Sequence, residues 1–267
     1  MSSEAKFEEI LAREGAARIR RGVLLLMVGL GVFSAMWTTG LFDPARFADS
    51  WPAARQLSSE MFPPDFSRYQ RWLWPLVDTL AMSIAGTALA VAFSLPLALL
   101  GARNTTPHRT LYQATRLLLN LLRSIPELIM GIIFVAMVGF GALPGVLALG
   151  IHSIGMVGKF FAESIEHVDE KPVEAARAAG ASTFQVVWHA VLPQVMPQIA
   201  DTTIYRWEYN FRASTVLGAV GAGGIGFELI AALRVLEYSQ VSAILICILV
   251  CVTVVDGIGA TLRKTLK

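Results

Sequence analysis

Charge is scarce in this chain. Asp, Glu, Lys and Arg make up 16% of 267 residues, whereas a soluble domain carries about a quarter. The net charge is only +2, so the sequence lacks the basic surface with which proteins bind nucleic acid. Apolar residues reach 55% and lie in long uncharged runs. This composition excludes an ordinary soluble domain and indicates an integral membrane protein.

Cysteine is almost absent as well. Cys247 and Cys251 are the only two and lie in one apolar run, which excludes a disulfide framework and predicts thiols buried in the membrane. The sequence also lacks a G-x-x-x-x-G-K-[ST] phosphate loop, so the chain does not carry its own P-loop ATPase. Neither a nucleophile–base pair nor a set of metal ligands stands out. We therefore assign no catalytic residue, metal or enzymatic reaction to this chain.

Six segments are long and apolar enough to cross a membrane, at about 20 residues for each crossing. They cover 22–42, 79–102, 116–141, 145–162, 194–220 and 238–261. A glycine- and proline-rich turn signal at 139–145 separates the third from the fourth. The first is long for a cleaved signal peptide and is interpreted as a retained anchor. The sequence thus predicts an all-α membrane protein with about six transmembrane helices.

Lys and Arg are concentrated in the two terminal segments and in the loops on the same side as those segments. The positive-inside rule therefore predicts that both termini are cytoplasmic. Residues 1–21 would form a cytoplasmic tail and 22–267 the transmembrane domain. Within that domain, 43–75 would be a periplasmic loop and 163–193 a cytoplasmic loop.

The stretch GAGGIG fits the dinucleotide-binding pattern G-x-G-x-x-G. It stands, however, at the predicted outer end of the fifth span, and a short apolar segment follows it instead of a βαβ unit. This context excludes nucleotide binding. Glycine permits positive φ and close backbone approach, so we expect a sharp bend or a periplasmic gate here. The candidate residues are Gly221, Gly223, Gly224 and Gly226.

Residues 174–193 predict two short helices. Pro172 and Glu174 suit the first turn of one helix, and Gly180 suits its C-terminal cap. Ser182 and Gln185 have the spacing of a capping box, which would open a second helix.

The second helix of this loop has apolar residues at helical spacing. Pro193 is expected to end it. The hairpin could lie on lipid as an amphipathic surface helix, or it could dock in a groove of a soluble partner. The small alanine face of the first helix favours docking, because it allows close seating. The apolar face of the second helix would consist of Phe184, Val187, Trp188 and Val191.

The fifth span contains several charges, each of which costs about 2.5–3.5 kcal/mol at mid-membrane on insertion scales. Asp201, Glu208 and Arg212 fall on one helical face, and Arg206 and Asn210 on another. One interpretation is a structural ion pair between Glu208 and Arg212 at i, i+4. The other is a cationic path for an oxyanion, and both can hold together. The candidate pathway residues are Arg206, Glu208, Asn210 and Arg212.

A second polar cluster is predicted in the first turns of span three. Its proline removes a backbone donor and would bend or open the helix. We favour a cytoplasmic gate or loop anchor here over a simple ion pair at a helix start. His152, on the fourth span, is interpreted as a packed polar residue. The gate candidates are Arg123, Ser124, Pro126 and Glu127.

The loop also carries a recognisable motif. Within residues 174–193, a set of six residues resembles the EAA motif of ABC-importer permeases, with Ala190 where that motif usually has Ile. Further stretches, including RSIPELI (123–129) and VLGAVGAGGIG (216–226), resemble the phosphonate-import permease subunit over roughly residues 60–260. Phosphite and hypophosphite importers share these motifs. The EAA residues are Glu174, Ala175, Ala176, Gly180, Leu192 and Pro193.

This resemblance implies a type I ABC-importer permease in the bacterial inner membrane. The EAA residues would dock on an ATPase subunit, which would bind the ATP and Mg²⁺, so that this chain needs no cofactor. The implied partners are a second copy of the chain, two ATPase subunits, a periplasmic binding protein and membrane lipid. Alternating access would move phosphonate or a related phosphorus oxyanion. The alternative is a secondary transporter or channel, which favours inverted repeats or paired broken helices; neither is evident in the sequence.

Overall fold

The computed structural model describes residues 3–266, which form eleven α-helices and no strand. A π-helical turn, Val187–Val191, and a 3-10 turn, Gly218–Val220, complete the regular structure. The helices are α1 Ser3–Thr38, α2 Pro44–Met61, α3 Tyr69–Gly101, α4 Arg109–Ser124, α5 Glu127–Val138, α6 Ala142–Glu166, α7 Glu170–Ala178, α8 Thr183–Val186, α9 Leu192–Leu217, α10 Ile225–Arg234 and α11 Tyr238–Thr265.

Four helices are long and apolar enough to span a membrane: α3, α6, α11 and the Ala17–Thr38 part of α1. Two bent pairs raise the number to six if each is one span. In one pair α4 and α5 meet at 84°, and in the other Thr183–Val220 meets α10 at 43°. The prediction of an all-α protein with about six transmembrane helices is confirmed.

Helix ends differ from the predicted spans because uncharged runs and helices end for different reasons. The predicted second span starts at Thr79, but α3 starts at Tyr69 and includes the charged Arg71 and Asp78. Trp72, in its first turn, is only 2% exposed. A charge ends an apolar run, whereas backbone hydrogen bonding continues past it. Much of the predicted loop 43–75 is likewise helical, because α2 covers Pro44–Met61.

Two compact units divide the chain between Ser59 and Glu60. In the second unit α6 is central, and 61% of its most apolar window is buried. Its glycines allow neighbouring helices to approach closely, as is usual in membrane proteins. A Cβ on Gly155 would lie 2.6 Å from the carbonyl oxygen of Leu119 in α4. The α4 backbone therefore packs directly on α6.

The end of α6 that leads into the loop 163–193 is fixed by polar contacts. Arg116 of α4 pairs with Glu166 at 2.9 Å and donates to the carbonyl oxygen of Gly101 at 2.7 Å. The Asn104 amide donates to the carbonyl oxygen of Ile165 at 2.6 Å. The loop therefore begins from a point that is tied to both α3 and α4.

Candidate functional site

The first helix of the loop forms as predicted. Asp169 is the N-cap of α7, and its side chain accepts a hydrogen bond from the first turn. Gly180 has φ +81° and donates to the carbonyl oxygen of Arg177 at 2.9 Å. Ala181 donates to the carbonyl oxygen of Ala176 at 3.1 Å. This pair of bonds is a Schellman cap, and it confirms that the helix stops at Gly180.

The second helix starts as predicted but does not end where expected. Ser182 and Gln185 form a complete capping box. The prediction that Pro193 ends the helix is wrong, because the chain passes through the π turn directly into α9. In this turn Leu192 donates to the carbonyl oxygen of Val187, five residues back. The wider turn makes room for the proline ring and its missing donor, so one helix runs from Thr183 to Val220.

The π turn also divides the predicted apolar face of this helix. Val191 is 2% exposed and packs in the core with Val186. Phe184 and Trp188 are instead 74% and 58% exposed, and their rings stack at 6.1 Å. The prediction that all four residues share one face is therefore wrong. A turn closed by a five-residue hydrogen bond changes the angular spacing that a 3.6-residue period assumes.

The EAA residues separate into an outer and an inner set. Glu174, Ala175, Gly180 and Pro193 are exposed, whereas Ala176 and Leu192 are partly buried against the core. The Glu174–Ala175 edge of α7 is thus exposed in the single chain. A cavity of about 340 Å³ opens beside it, lined by Asn104, Thr105, Glu170, Glu174, Arg177 and Val187 among others.

The predicted gate residues lie at a break between two helices, so the bend or opening expected at Pro126 within the span 116–141 is confirmed. Ile125, which precedes Pro126, has φ −91° and ψ 121°, because a residue before proline avoids the helical conformation. The carbonyl oxygen of Ile125 lies 3.0 Å from Nδ1 of His152, so the break lies half-way along α6 and not at an end of the span. Glu127 is half-buried, and the exposed members of the cluster are Arg123, Ser124 and Pro126.

Glu127 joins the break to both neighbouring helices. Its Oε1 accepts a hydrogen bond from the Tyr209 hydroxyl at 2.7 Å. Its Oε2 lies 3.1 Å from Nε2 of His152. The guanidinium of Arg206 lies 4.3 Å from the centre of the Tyr209 ring, close enough for a cation–π contact.

Two of the predicted pathway residues are buried between α3, α6 and α9. Arg206 is 2% exposed, and its Nε donates to the Ser153 hydroxyl at 2.7 Å. Asn210 is fully buried, accepts from Ser153 at 3.2 Å and donates to Thr87 at 2.9 Å. Within residues 3–266, Nη2 of Arg206 has no hydrogen-bond partner. The interior of this unit therefore contains a buried cation with an unused hydrogen-bond donor.

The other two pathway residues pair with α11. Glu208 forms an ion pair with Arg263 at 2.8 Å, and Arg212 donates a hydrogen bond to Asp256 at 2.8 Å. The predicted Glu208–Arg212 ion pair is wrong, because α11 packs beside α9 and offers a partner to each. Gly259 of α11 makes room for the Glu208 carboxylate. The Arg212–Asp256 pair remains exposed, at 43% and 45% of its side chains.

Several residues in these contacts were not predicted from the sequence. Asp256 is the single charged residue within the predicted sixth span, and a lone carboxylate in an apolar run is itself a signal of a functional site. Ser153 and Tyr209 give no such signal, since hydroxyl side chains are common in membrane helices. Their partners are far away in the sequence.

Metal ligands are not clustered in the described part of the chain: among 3–266, no three His, Cys, Asp or Glu side chains lie close enough to hold an ion. Cys247 and Cys251 are free, half-buried thiols along α11.

The glycine-rich turn after α9 has the conformation that was predicted. Gly221, Gly223 and Gly224 have φ values of +98°, +77° and +72°. Gly226 lies in the first turn of α10, where an added Cβ would overlap the carbonyl oxygen of Thr215. The bend is therefore confirmed, whereas its role as a periplasmic gate stays a prediction.

Two relatives align in sequence with this chain over most of its length. PtxC, a phosphite transport system permease protein of Stutzerimonas stutzeri, is 63% identical over 246 residues, covering 92% of this chain and 89% of that protein. HtxC, a putative phosphite transport system permease protein of Stutzerimonas stutzeri, is 36% identical over 261 residues, covering 97% of this chain and 93% of that protein.

A chain of the MetNI methionine ABC transporter, solved in inward-facing conformations, superposes with a TM-score of 0.63. It is 22% identical, and the match covers 73% of this chain and 97% of that one. This likeness shows the type I ABC-importer permease fold. The family model described as binding-protein-dependent transport system inner membrane component matches residues 64–267, a range that contains the loop, the broken span and the charged α9. The chain therefore belongs to the family of inner membrane components of binding-protein-dependent transport systems.

Proposed function

We propose that this chain is the permease subunit of an ATP-driven importer for phosphite, phosphonate or another small phosphorus oxyanion. The observation that carries the proposal is the exposed α7–α8 loop, which continues without interruption into α9 and its buried Arg206. The name of the 63% identical relative supports phosphite as the substrate. ATP and Mg²⁺ would be bound by a separate ATPase subunit, and no reaction is assigned to this chain.

The geometry of the loop supports ATPase docking over lipid binding. The Glu174–Ala175 edge combines small side chains with a carboxylate and is exposed, which suits insertion of α7 into a groove of a soluble subunit. Both termini and this loop would then be cytoplasmic, and the turn at Gly221–Gly224 would face the periplasmic binding protein.

The exposed Arg212–Asp256 pair supports a homodimer. Charged side chains within membrane segments normally face a cavity or a partner, and this pair is nearly half-exposed in the single chain. Two copies would place it beside a shared path between them, with one ATPase subunit on each copy.

The substrate can be tested in vesicles that contain this chain, its ATPase and its binding protein. We expect ATP-dependent uptake of radiolabelled phosphite, with competition by methylphosphonate or hypophosphite if these also bind. Stimulation of ATP hydrolysis by methionine or a sugar, and by none of the phosphorus oxyanions, would contradict the proposal.

Arg212→Ala should raise the KM for oxyanion uptake about tenfold, the effect of about 1.4 kcal/mol, while the yield of the assembled complex stays unchanged. Because this change leaves Asp256 unpaired, the double variant Arg212→Ala, Asp256→Asn is measured beside it and should show the same loss. Arg109→Ala removes an equal charge at the first residue of α4, outside the predicted span 116–141, and should have no effect. Unchanged uptake in both Arg212 variants would exclude this residue from the path.

An ion-gradient transporter is the second candidate, and one observation favours it. Two helix pairs are bent, and broken helices in corresponding positions of two halves occur in secondary transporters. Copurification separates the candidates, because a secondary transporter should not carry an ATPase subunit with it.

A further inference from the structure

His152, Glu127 and Tyr209 tie the broken third span to its two neighbouring helices. Ile125 is the C-cap of α4, and its carbonyl oxygen has no donor within that helix, because the backbone becomes extended there and the helix does not continue. Nδ1 of His152 lies 3.0 Å from this oxygen. A carbonyl oxygen only accepts hydrogen bonds, so Nδ1 carries a hydrogen and satisfies the end of α4.

The other side of the same ring contacts the start of α5. Nε2 of His152 lies 3.1 Å from Oε2 of Glu127, close enough for an ion pair when the ring is protonated. One side chain of α6 thereby holds both edges of the break, and the second oxygen of Glu127 remains available to α9.

That second oxygen accepts the hydroxyl of Tyr209 at 2.7 Å. Tyr209 lies on the helix that runs unbroken from Thr183 in the loop to Val220. The distance along this helix from Thr183 to Tyr209 is roughly 40 Å at 1.5 Å per residue. The loop and this hydrogen bond at the break are therefore connected by one helix.

We propose that Glu127, His152 and Tyr209 form a latch through which α9 holds the break of span three closed, and that movement of the ATPase-docking loop releases it. The latch rests on the proposed function, since it assigns the transmission step of that same importer. Tyr209 and His152 are positioning residues in this scheme: they act through Glu127 on the break, where the exposed Arg123, Ser124 and Pro126 lie.

Tyr209→Phe tests the latch because it removes one hydroxyl and keeps the ring that packs under Arg206. We expect the number of substrate molecules moved per ATP hydrolysed to fall about tenfold, as for one lost hydrogen bond to a charged group. Hydrolysis should also become independent of the binding protein. This ratio is normalised to each active complex, so a lower yield of folded protein does not change it.

Two further variants make the result specific. His152→Gln acts on the latch from α6 and should give the same low ratio. Tyr205→Phe is the matched control, since Tyr205 lies on the same helix and its hydroxyl makes no hydrogen bond to the described residues 3–266. We expect it to keep the normal ratio; a loss as large as that of Tyr209→Phe would overturn the proposal.

A double-mutant cycle completes the test. If Tyr209 acts through Glu127, the variant Tyr209→Phe, Glu127→Gln loses no more than the worse single variant, whereas independent residues would lose the sum. Additive losses, or a normal ratio in both Tyr209→Phe and His152→Gln, would overturn the latch. Failure of the proposed function is distinct from these outcomes, because the unmodified complex would then show no ATP hydrolysis stimulated by phosphorus oxyanions.

Discussion

Uptake should fall to the background of vesicles without ATP when Glu174→Arg and Gly180→Pro are combined in this chain. Glu174 is exposed on the docking edge of α7, so arginine reverses the charge that an ATPase groove would meet. Proline at 180 cannot adopt φ +81° and removes the N–H that bonds to Arg177. Both changes are outside the core, so the membrane domain should still fold. ATP-dependent uptake and copurification of the ATPase measure the result.

A graded series separates lost docking from general damage. Gly180→Ala has open space around the added Cβ and costs only the strain of the left-handed conformation, about 1–2 kcal/mol, so partial uptake should remain. Ala175→Leu fills the exposed small face and should weaken ATPase binding strongly. Ala114→Leu places the same bulk on an exposed position of α4 and should be neutral. Normal coupled uptake in the combined variant would disprove docking through this loop.

Local signals explain why the loop was predicted well. The Gly180 cap and the Ser182–Gln185 capping box each depend on residues within one turn, and the structure contains both. The positive φ values of the glycine turn are local in the same sense. The rule that proline ends a helix fails where a neighbouring turn accommodates the proline. The π turn does so here, and the helix continues through Pro193, where it was expected to end.

Contacts between distant residues could not be predicted in this way. Spacing along α9 favours a Glu208–Arg212 pair, yet both residues bond to α11, whose position depends on packing and not on the sequence of α9. His152 was interpreted as a packed polar residue because nothing near it in the sequence shows that it meets the break at Ile125. Sequence patterns place charges on faces, and tertiary packing decides which partners those faces meet.

The glycine turn gives the other large expected effect. Gly226→Ala should prevent recovery of a stable complex, because the first turn of α10 packs backbone to backbone on the last turns of α9. An added Cβ would overlap the carbonyl oxygen of Thr215 and lie 3.2 Å from the Cα of Gly218. These backbone atoms cannot rotate away as a side chain could, so we expect a cost at or above the about 1–3 kcal/mol of ordinary overpacking.

Gly257→Ala supplies the matched control, since Gly257 lies within α11 and no atom would be within 4 Å of its added Cβ. Alanine is favoured over glycine in a helix by about 1 kcal/mol, so this variant should be as stable as the unmodified chain or slightly more so. Gly223→Ala should have a stability between those of the other two variants. Its added Cβ would lie at an ordinary distance of 3.7 Å from the backbone of Gly141, but φ is +77°, which alanine disfavours. The thermal unfolding midpoint of the purified complex should therefore fall in the order Gly257→Ala, Gly223→Ala, Gly226→Ala. If Gly226→Ala unfolds at the same temperature as Gly257→Ala, α10 is not seated on α9 through this glycine, and the bend that follows α9 must be held by other contacts.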